Sequence, residues 1–162
     1  MEASNELAAV NNLDSVALQA VLGNADIKMI PQTYINLGEN MYDQIYTSYA
    51  SLYGVTLEEF IEQYLGQETY DSDKGNYARQ VAELALVINA VSEQEGWTSE
   101  DEDYVTRFNN RVENSGLSED EYVEQNGQET IDLSINQDRV IDLVLNNATI
   151  NDVTVDASGN PV

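Results

Sequence analysis

The side chains that most often carry out enzyme chemistry are scarce in this sequence, because it contains no histidine and no cysteine. Without them the commonest zinc ligands, the usual general base at neutral pH and the Ser-His-Asp and Cys-His nucleophilic sites are excluded. Carboxylates remain, since 30 residues are aspartate or glutamate. Two close carboxylates could act as acid and base in glycoside hydrolysis, so this is the chemistry that the composition still allows.

The two densest acidic clusters are Glu100–Asp103 and Glu119–Glu121. Each lies where a helix is predicted to begin, and negative charge at that end stabilises a helix through its unpaired N–H groups and its dipole. A structural role accounts for both clusters, so we expect no catalytic residue and no enzyme. A carboxylate hydrolase would instead require two close carboxylates in a deep pocket.

Metal and phosphate sites are not indicated either. Residues Asp71–Asn76 look like the start of a calcium loop of the EF-hand type, but Gly75 stands one position early and Ala82 occupies the place of the bidentate acid. No glycine-rich phosphate loop follows a predicted strand. We therefore expect no metal and no cofactor.

Tyrosines form the most unusual pattern in the chain. The predicted second helix places four of them, from Tyr42 to Tyr53, on one stripe beside a largely aliphatic stripe, and the two together are wider than one neighbouring helix covers. The tyrosines either pack at the edge of the core with their hydroxyls in water, or line a groove for unfolded polypeptide. The candidates for polypeptide contact are Tyr42, Tyr46, Tyr49, Tyr53, Tyr104 and Phe108.

The charge of the chain is strongly negative, at −24, and its six basic residues are dispersed. Nucleic-acid binding depends on clustered lysine and arginine, and a field of this sign repels phosphates and anionic lipid headgroups. We therefore exclude nucleic acid and membrane as direct partners. Hydrophobic residues still make up 42% of the chain, enough for a core, so the acidity is typical of solvated helix faces that resist aggregation.

Apolar spacing and helix-breaking residues predict helices along nearly the whole chain. The first covers about residues 6–22, and Pro31 opens a second that runs to about Leu52. Two capping boxes start two short helices. These boxes are Thr56 with Glu59 and Ser118 with Glu121. The other helices are predicted from about Asp73 to Val91, from Thr98 or Ser99 to about Gly116, and from about residue 128 to 147.

Three segments carry further expectations. The polar residues Gln67–Gly75 predict a loop. The helix that follows them is apolar most of the way round, so other helices should surround it. We expect one all-α domain over residues 1–150, with about seven helices, and a tail over residues 151–162 that forms a short strand or is disordered.

Several segments follow one another in a particular order: Ile30–Ile35 at the start of the second helix, Tyr53–Gly66, the apolar run Ala78–Val91, the break Gly96–Ser99 and the closing segment Arg139–Ala148. In this order they resemble the C-terminal domain of trigger factor. The resemblance covers about residues 13–150 and is carried by apolar spacing and helix breaks. It implies an all-helical domain with two protruding arms that serves as a chaperone surface.

The resemblance favours a non-enzymatic chaperone or peptide-binding module that holds nascent or unfolded polypeptide on apolar, tyrosine-rich grooves between helical arms. It implies a cytoplasmic location, although an extracytoplasmic one stays open if a signal segment has been removed. No ribosome-docking loop is visible and the helices leave no room for the FKBP-type isomerase sheet, so we expect neither activity here. The acidity favours basic clients.

A function of another class stays open. The same helices could form a structural or scaffold module that dimerises or docks one folded partner. A chaperone suppresses aggregation of unrelated unfolded proteins, whereas a scaffold binds one partner stoichiometrically. A homodimer is compatible with both hypotheses.

Overall fold

The computed structural model describes the backbone of residues 2–148 and the side chains of residues 13–148. Within that part of the chain it contains seven α-helices and no strand, so the all-α prediction is confirmed. The predicted strand or disordered tail at 151–162 lies outside the described residues. The helices are α1 (Glu2–Gly23), α2 (Gln32–Leu52), α3 (Leu57–Phe60), which continues as a π-helical turn (Ile61–Leu65), α4 (Gln67–Glu95), α5 (Glu102–Ser115), α6 (Glu119–Asn126) and α7 (Gln128–Asn147).

Both predicted capping boxes are present. The backbone N–H of Thr56 donates to Glu59 Oε2 at 2.8 Å, and the N–H of Glu59 donates back to Thr56 Oγ1 at 3.2 Å. Ser118 and Glu121 exchange the same two bonds at 2.9 and 3.4 Å. Each box satisfies N–H groups that the first turn of its helix leaves free, which fixes where α3 and α6 begin.

The loop predicted at Gln67–Gly75 is wrong, because α4 begins directly after Gly66. Gln67 Nε2 donates to Asp71 Oδ1 at 2.8 Å along the first turn. The Tyr70 ring is buried, and its hydroxyl donates to Asp43 of α2 at 2.6 Å. Contacts with α2 therefore hold this polar segment in a helix, which its composition alone does not indicate.

The predicted cap of the fifth helix also differs from the structure. Thr98 does pair with Asp101, donating from its backbone N–H and its hydroxyl at 3.0 Å each, but this pair closes a turn before the helix, and α5 begins at Glu102. Asp101 accepts another hydrogen bond, from Arg139 of α7 at 2.6 Å. The turn is thus shaped by a long-range partner that local spacing does not reveal.

Helix α4 occupies the centre of the fold and contacts α1, α2 and α7. Its closest approach is to α2, where a side chain added at Gly38 would lie 2.6 Å from the Ala78 Cα. The main core cluster joins α4 to α7 through Ala85, Ile88, Leu133 and Val140. The apolar arc of α4 is therefore surrounded on most of its circumference, as expected.

The fold contains two arms built on one plan. The first arm consists of α2, α3 and the first half of α4, and the second of α5, α6 and the first half of α7. In each arm a capping box opens a short helix, and a glycine with positive φ, 79° at Gly66 and 77° at Gly127, joins it to the next long helix. Identical residues at matching positions are Gly54 and Gly116, Glu59 and Glu121, Glu62 and Glu124, Gln63 and Gln125, Gly66 and Gly127, Gln67 and Gln128, Glu68 and Glu129, Thr69 and Thr130, and Asp71 and Asp132.

The π-helical turn is the one local difference between these short helices. Residues 54–66 contain one residue more than residues 116–127. In the first arm the Gly66 N–H donates to the Ile61 carbonyl, five residues back, at 2.7 Å, whereas the Gly127 N–H donates to the Val123 carbonyl, four residues back, at 2.8 Å. A π-turn accommodates an additional residue in a helix without breaking it, so both arms keep the same connection.

Candidate functional site

The tyrosine stripe of α2 runs from the core to the solvent. Tyr42 is 7% exposed and Tyr46 is half-buried, whereas Tyr49 is 50% and Tyr53 62% exposed. The exposure of the tyrosines therefore increases along the stripe. Its first half packs into the core, and its second half presents rings to water at the end of the first arm.

The buried half of the stripe forms an aromatic cluster with α4. The Tyr42 ring lies 4.7 Å from Tyr46, 5.2 Å from Tyr70 and 5.4 Å from Tyr77, between ring centroids. Burial raises the pKa of Tyr42 and of Tyr70, and a hydrogen bond to the Asp43 carboxylate raises that of Tyr70 further. These hydroxyls stay neutral, and the cluster supports the exposed rings beyond it.

The exposed half forms a surface that we call the aromatic end patch: Tyr49, Leu52, Tyr53 and Tyr64. Tyr53 and Tyr64 are 5.4 Å apart, and each also contacts Phe60, at 5.5 and 5.0 Å. Leu52 is 82% exposed. Exposed large apolar side chains that adjoin one another are typical of interaction surfaces.

Two members of this patch, Leu52 and Tyr64, are not among the contact residues predicted from the sequence. Helical spacing puts Tyr64 on the buried face of α3 with Phe60 and Ile61, but the structure leaves its ring 56% exposed. Tyr64 lies within the π-helical turn Ile61–Leu65, whose wider winding moves it off the α-helical face. The additional residue relative to the second arm is the sequence signal that indicates this turn.

The remaining predicted contact residues, Tyr104 and Phe108, lie inside the second arm. Tyr104 is buried and its hydroxyl donates to the Asp132 carboxylate. Burial and that carboxylate raise its pKa. Phe108 is half-buried and stacks on Tyr104 with a centroid separation of 6.5 Å and an interplanar angle of 10°. The structure therefore places these two rings in the packing between α5 and α7, away from the aromatic end patch.

A second apolar surface lies where α1 and α4 end. Here a groove of about 990 Å³ is lined mainly by apolar side chains of the two helices and by the segment that leads from α1 to α2. Met29 of that segment is 81% exposed. In this α1–α4 groove, apolar side chains of α4 are left uncovered by the neighbouring helices. The helical residues on it include Ala20, Val21, Leu86, Val87, Ala90 and Val91.

A cleft also separates the two arms. Its volume is about 690 Å³, and its walls are residues 40–48 of α2 on one side and Gln125, Asn126 and Thr130 on the other. Met41 and Ile45 contribute apolar side chains, and most of the other lining residues carry an amide or a hydroxyl group. Two surfaces of the first arm therefore differ in polarity: the cleft is mixed, and the aromatic end patch is apolar.

The acidic clusters have structural partners. The pKa of Asp101 is lowered to about 2, first by the Arg139 guanidinium and then by hydrogen bonds from Thr98. Hydrogen bonds from Ser118 lower the pKa of Glu121. Among the described side chains no group of three or more acidic residues is arranged to hold a metal ion. These carboxylates act as ionised hydrogen-bond acceptors that fix turns.

Comparison with known proteins gives one result. The family described as "Bacterial trigger factor protein (TF) C-terminus" matches residues 1–146, which is most of the chain. No curated protein and no solved structure matches it. Over residues 2–148, no helix is long and apolar enough to cross a membrane.

Proposed function

This chain belongs to the bacterial trigger factor C-terminal family, and from that premise we propose that it holds non-native polypeptide on the aromatic end patch of its first arm. Trigger factor is a cytoplasmic chaperone family whose members bind nascent or unfolded polypeptides, and its C-terminal domain is a chaperone module rather than a catalytic one. The proposal specifies which surface of this chain makes the contact. Binding there requires neither nucleotide nor metal.

The comparison between the two arms carries the proposal. The second arm builds the same helical end with polar residues: Asn114, Ser115 and Asn126 stand where the first arm has Leu52, Tyr53 and Tyr64. The arm does not need these apolar side chains in order to fold. Keeping them exposed carries a risk of aggregation, so a binding role accounts for them better than a packing role.

The chemistry of the patch suits clients of varied sequence. Tyrosine rings bury a large area with few rotatable bonds, and their hydroxyls can bond to a polypeptide backbone. Tyr42, Tyr46 and Tyr70 form a packed support beneath them. The α1–α4 groove offers further apolar surface to a long client, and the net charge of −24 favours clients that are basic.

The test is suppression of aggregation of a chemically denatured reporter protein. The variant carries Leu52→Asn, Tyr53→Ser and Tyr64→Asn, which copies the end of the second arm onto the first. We expect the wild-type chain to protect the reporter at a few-fold molar excess and the variant to lose most of that protection. Circular dichroism should show equal helicity, since the second arm folds with the same residues.

A control variant removes as many exposed apolar side chains outside the patch, through Leu13→Asn, Val16→Asn and Val105→Asn. It should protect as well as the wild type. Equal losses in the two variants would mean that exposed apolar area in general is responsible and would overturn the assignment to the patch. A wild-type chain that fails to protect would favour the scaffold alternative, in which one folded partner binds stoichiometrically.

A further inference from the structure

A cavity of about 430 Å³ differs in character from the apolar surfaces described above, because it is lined mainly by polar surface. Its volume lies within the ~300–1,000 Å³ range of small-ligand sites. Its walls come from the start of α2, from α4, from the loop before α5, from the first turn of α5 and from α7. The lining residues that bear on its chemistry are Tyr34, Trp97, Tyr104, Glu129 and Asp132.

Aromatic rings make up part of this wall. Tyr34, Trp97 and Tyr104 all line the cavity. Asn89 Nδ2 donates to the Tyr34 hydroxyl at 2.9 Å, which holds that ring in place. Arg139 packs over Trp97 with 4.3 Å between its guanidinium carbon and the ring centroid. One face of the Trp97 indole is therefore already in contact with a guanidinium. Aromatic ring faces attract cations in general.

Two carboxylates, Asp132 and Glu129, lie one helical turn apart on the α7 wall. The Tyr104 hydroxyl and Gln128 Nε2 both donate to Asp132 Oδ1. Among the described residues no donor reaches its second oxygen, Oδ2, and none reaches Glu129. No lysine or arginine is among the lining residues, and Arg139 is itself paired with Asp101 and Asp103, at 2.6 and 3.2 Å.

We propose that this cavity binds the cationic side chain of an arginine or lysine carried by a polypeptide. The aromatic rings would contact its aliphatic stem and its charge, and Asp132 and Glu129 would accept its N–H groups. The inference deepens the proposed function, and so rests on it, by naming a side-chain class that a client would contribute. It concerns a different surface from the aromatic end patch.

The single tryptophan of the chain, Trp97, supplies a direct readout. The probes are the capped amides of arginine and lysine, with the capped amide of citrulline as a neutral analogue of arginine's shape. They are titrated to ~50 mM at constant ionic strength, because ligands of this size bind weakly. We expect a saturable change in Trp97 emission with the two cations and none with citrulline, and a weaker response when the constant ionic strength is raised.

The variant pair is Glu129→Gln and Glu68→Gln. Both glutamates lie in the first turn after a positive-φ glycine, at matching positions of the two arms, so each change removes the same charge from the same local setting. Glu129→Gln should weaken cation binding about two- to fivefold, as expected for a solvent-accessible charge pair. Glu68→Gln should leave it unchanged.

A further variant, Asp132→Asn, should weaken binding more than Glu129→Gln, because Asp132 is less exposed. Asparagine keeps an oxygen for Tyr104, and a thermal melt shows whether the fold is intact. The proposal is overturned if neither cation gives a saturable change, if citrulline binds as well as arginine, or if both glutamine variants behave alike. None of these outcomes depends on aggregation, so they are distinguishable from failure of the aromatic end patch.

Discussion

Arg139 is the residue that ties the loop before α5 to α7. It is buried, and its guanidinium contacts Asp101, Asp103 and the Trp97 ring. The local spacing predicts a capping role for the acidic residues here, which accounts for the bonds between Thr98 and Asp101 but not for the long-range partner. A lone arginine in an apolar segment gives no indication of which carboxylate it will meet.

The ion pair between Asp101 and Arg139 makes the stability of the fold depend on pH. The pKa of Asp101 in the folded chain, about 2, is below its ordinary value of 3.8. The folded state therefore holds the ionised form more strongly than the unfolded state does. The stability that Asp101 contributes is complete above its ordinary value and is lost as the pH falls through about 2.

The Asp101→Asn variant cannot titrate at this position. The difference in unfolding free energy between it and the wild type should stay constant from about pH 7 to pH 5 and shrink below about pH 4. Urea unfolding at several pH values measures this difference. Glu102→Gln, which removes a neighbouring carboxylate with no ion pair among the described residues, is the control; the same shrinkage in that variant would contradict the assignment to Asp101.

At Gly38, the backbones of α2 and α4 lie too close together for any side chain to fit between them. A Cβ added at Gly38 would lie 2.6 and 2.7 Å from the Cα and carbonyl oxygen of Ala78. These are backbone atoms, so no rotamer change can relieve the overlap. The two helices would have to separate, and the aromatic cluster between them would loosen with them.

We therefore predict that Gly38→Ala lowers the free energy of unfolding by about 1–3 kcal/mol, as overpacking does in a close-packed interior. Gly75→Ala is the matched substitution, since Gly75 is also helical and a Cβ there would meet nothing within 4 Å. It should raise stability by roughly 0.5–1 kcal/mol, because alanine favours a helix. Urea unfolding compares the two, and equal effects would show that the helices are not in tight contact.

The predicted starts of α3 and α6 are confirmed, whereas the start predicted for α5 at Thr98 or Ser99 is wrong. The boxes at Thr56 and Ser118 and the glycines that follow α3 and α6 act through neighbouring residues, so the sequence predicts them directly. The prediction of a loop at Gln67–Gly75 is wrong because the helix there depends on the hydrogen bond between Tyr70 and Asp43. The prediction that Tyr64 lies on the buried face is wrong because it assumes the spacing of an α-helix, whereas this segment forms a π-helical turn.

Over the whole molecule, a net charge of −24 opposes compaction. Within the described residues two ion pairs, Lys28–Asp26 and Arg79–Glu83, have both side chains exposed, and such pairs contribute about 0–1 kcal/mol each. In the other pairs the cation is more buried but its carboxylate partner still reaches solvent. Self-repulsion should therefore dominate the response to salt. Raising NaCl from ~20 mM to ~500 mM shortens the screening length several-fold and should raise the melting temperature.

The control for the salt effect is pH. Near the isoelectric point of about 4.1 the chain carries little net charge, so the same rise in NaCl should change the melting temperature less. Differential scanning calorimetry at neutral pH and near pH 4.1 measures both responses. A melting temperature that falls with salt at neutral pH would mean that the ion pairs outweigh the repulsion.

The sequence by itself determined the helical class, the capping boxes, the glycine breaks and the family, because these depend on spacing and on residues close in the chain. The tertiary structure decided which tyrosines are accessible. Tyr42 and Tyr53 belong to one stripe, yet one is buried by α4 and the other reaches solvent. Helical periodicity specifies a face of a helix, whereas the burial of each residue on that face depends on how far the neighbouring helices extend along it.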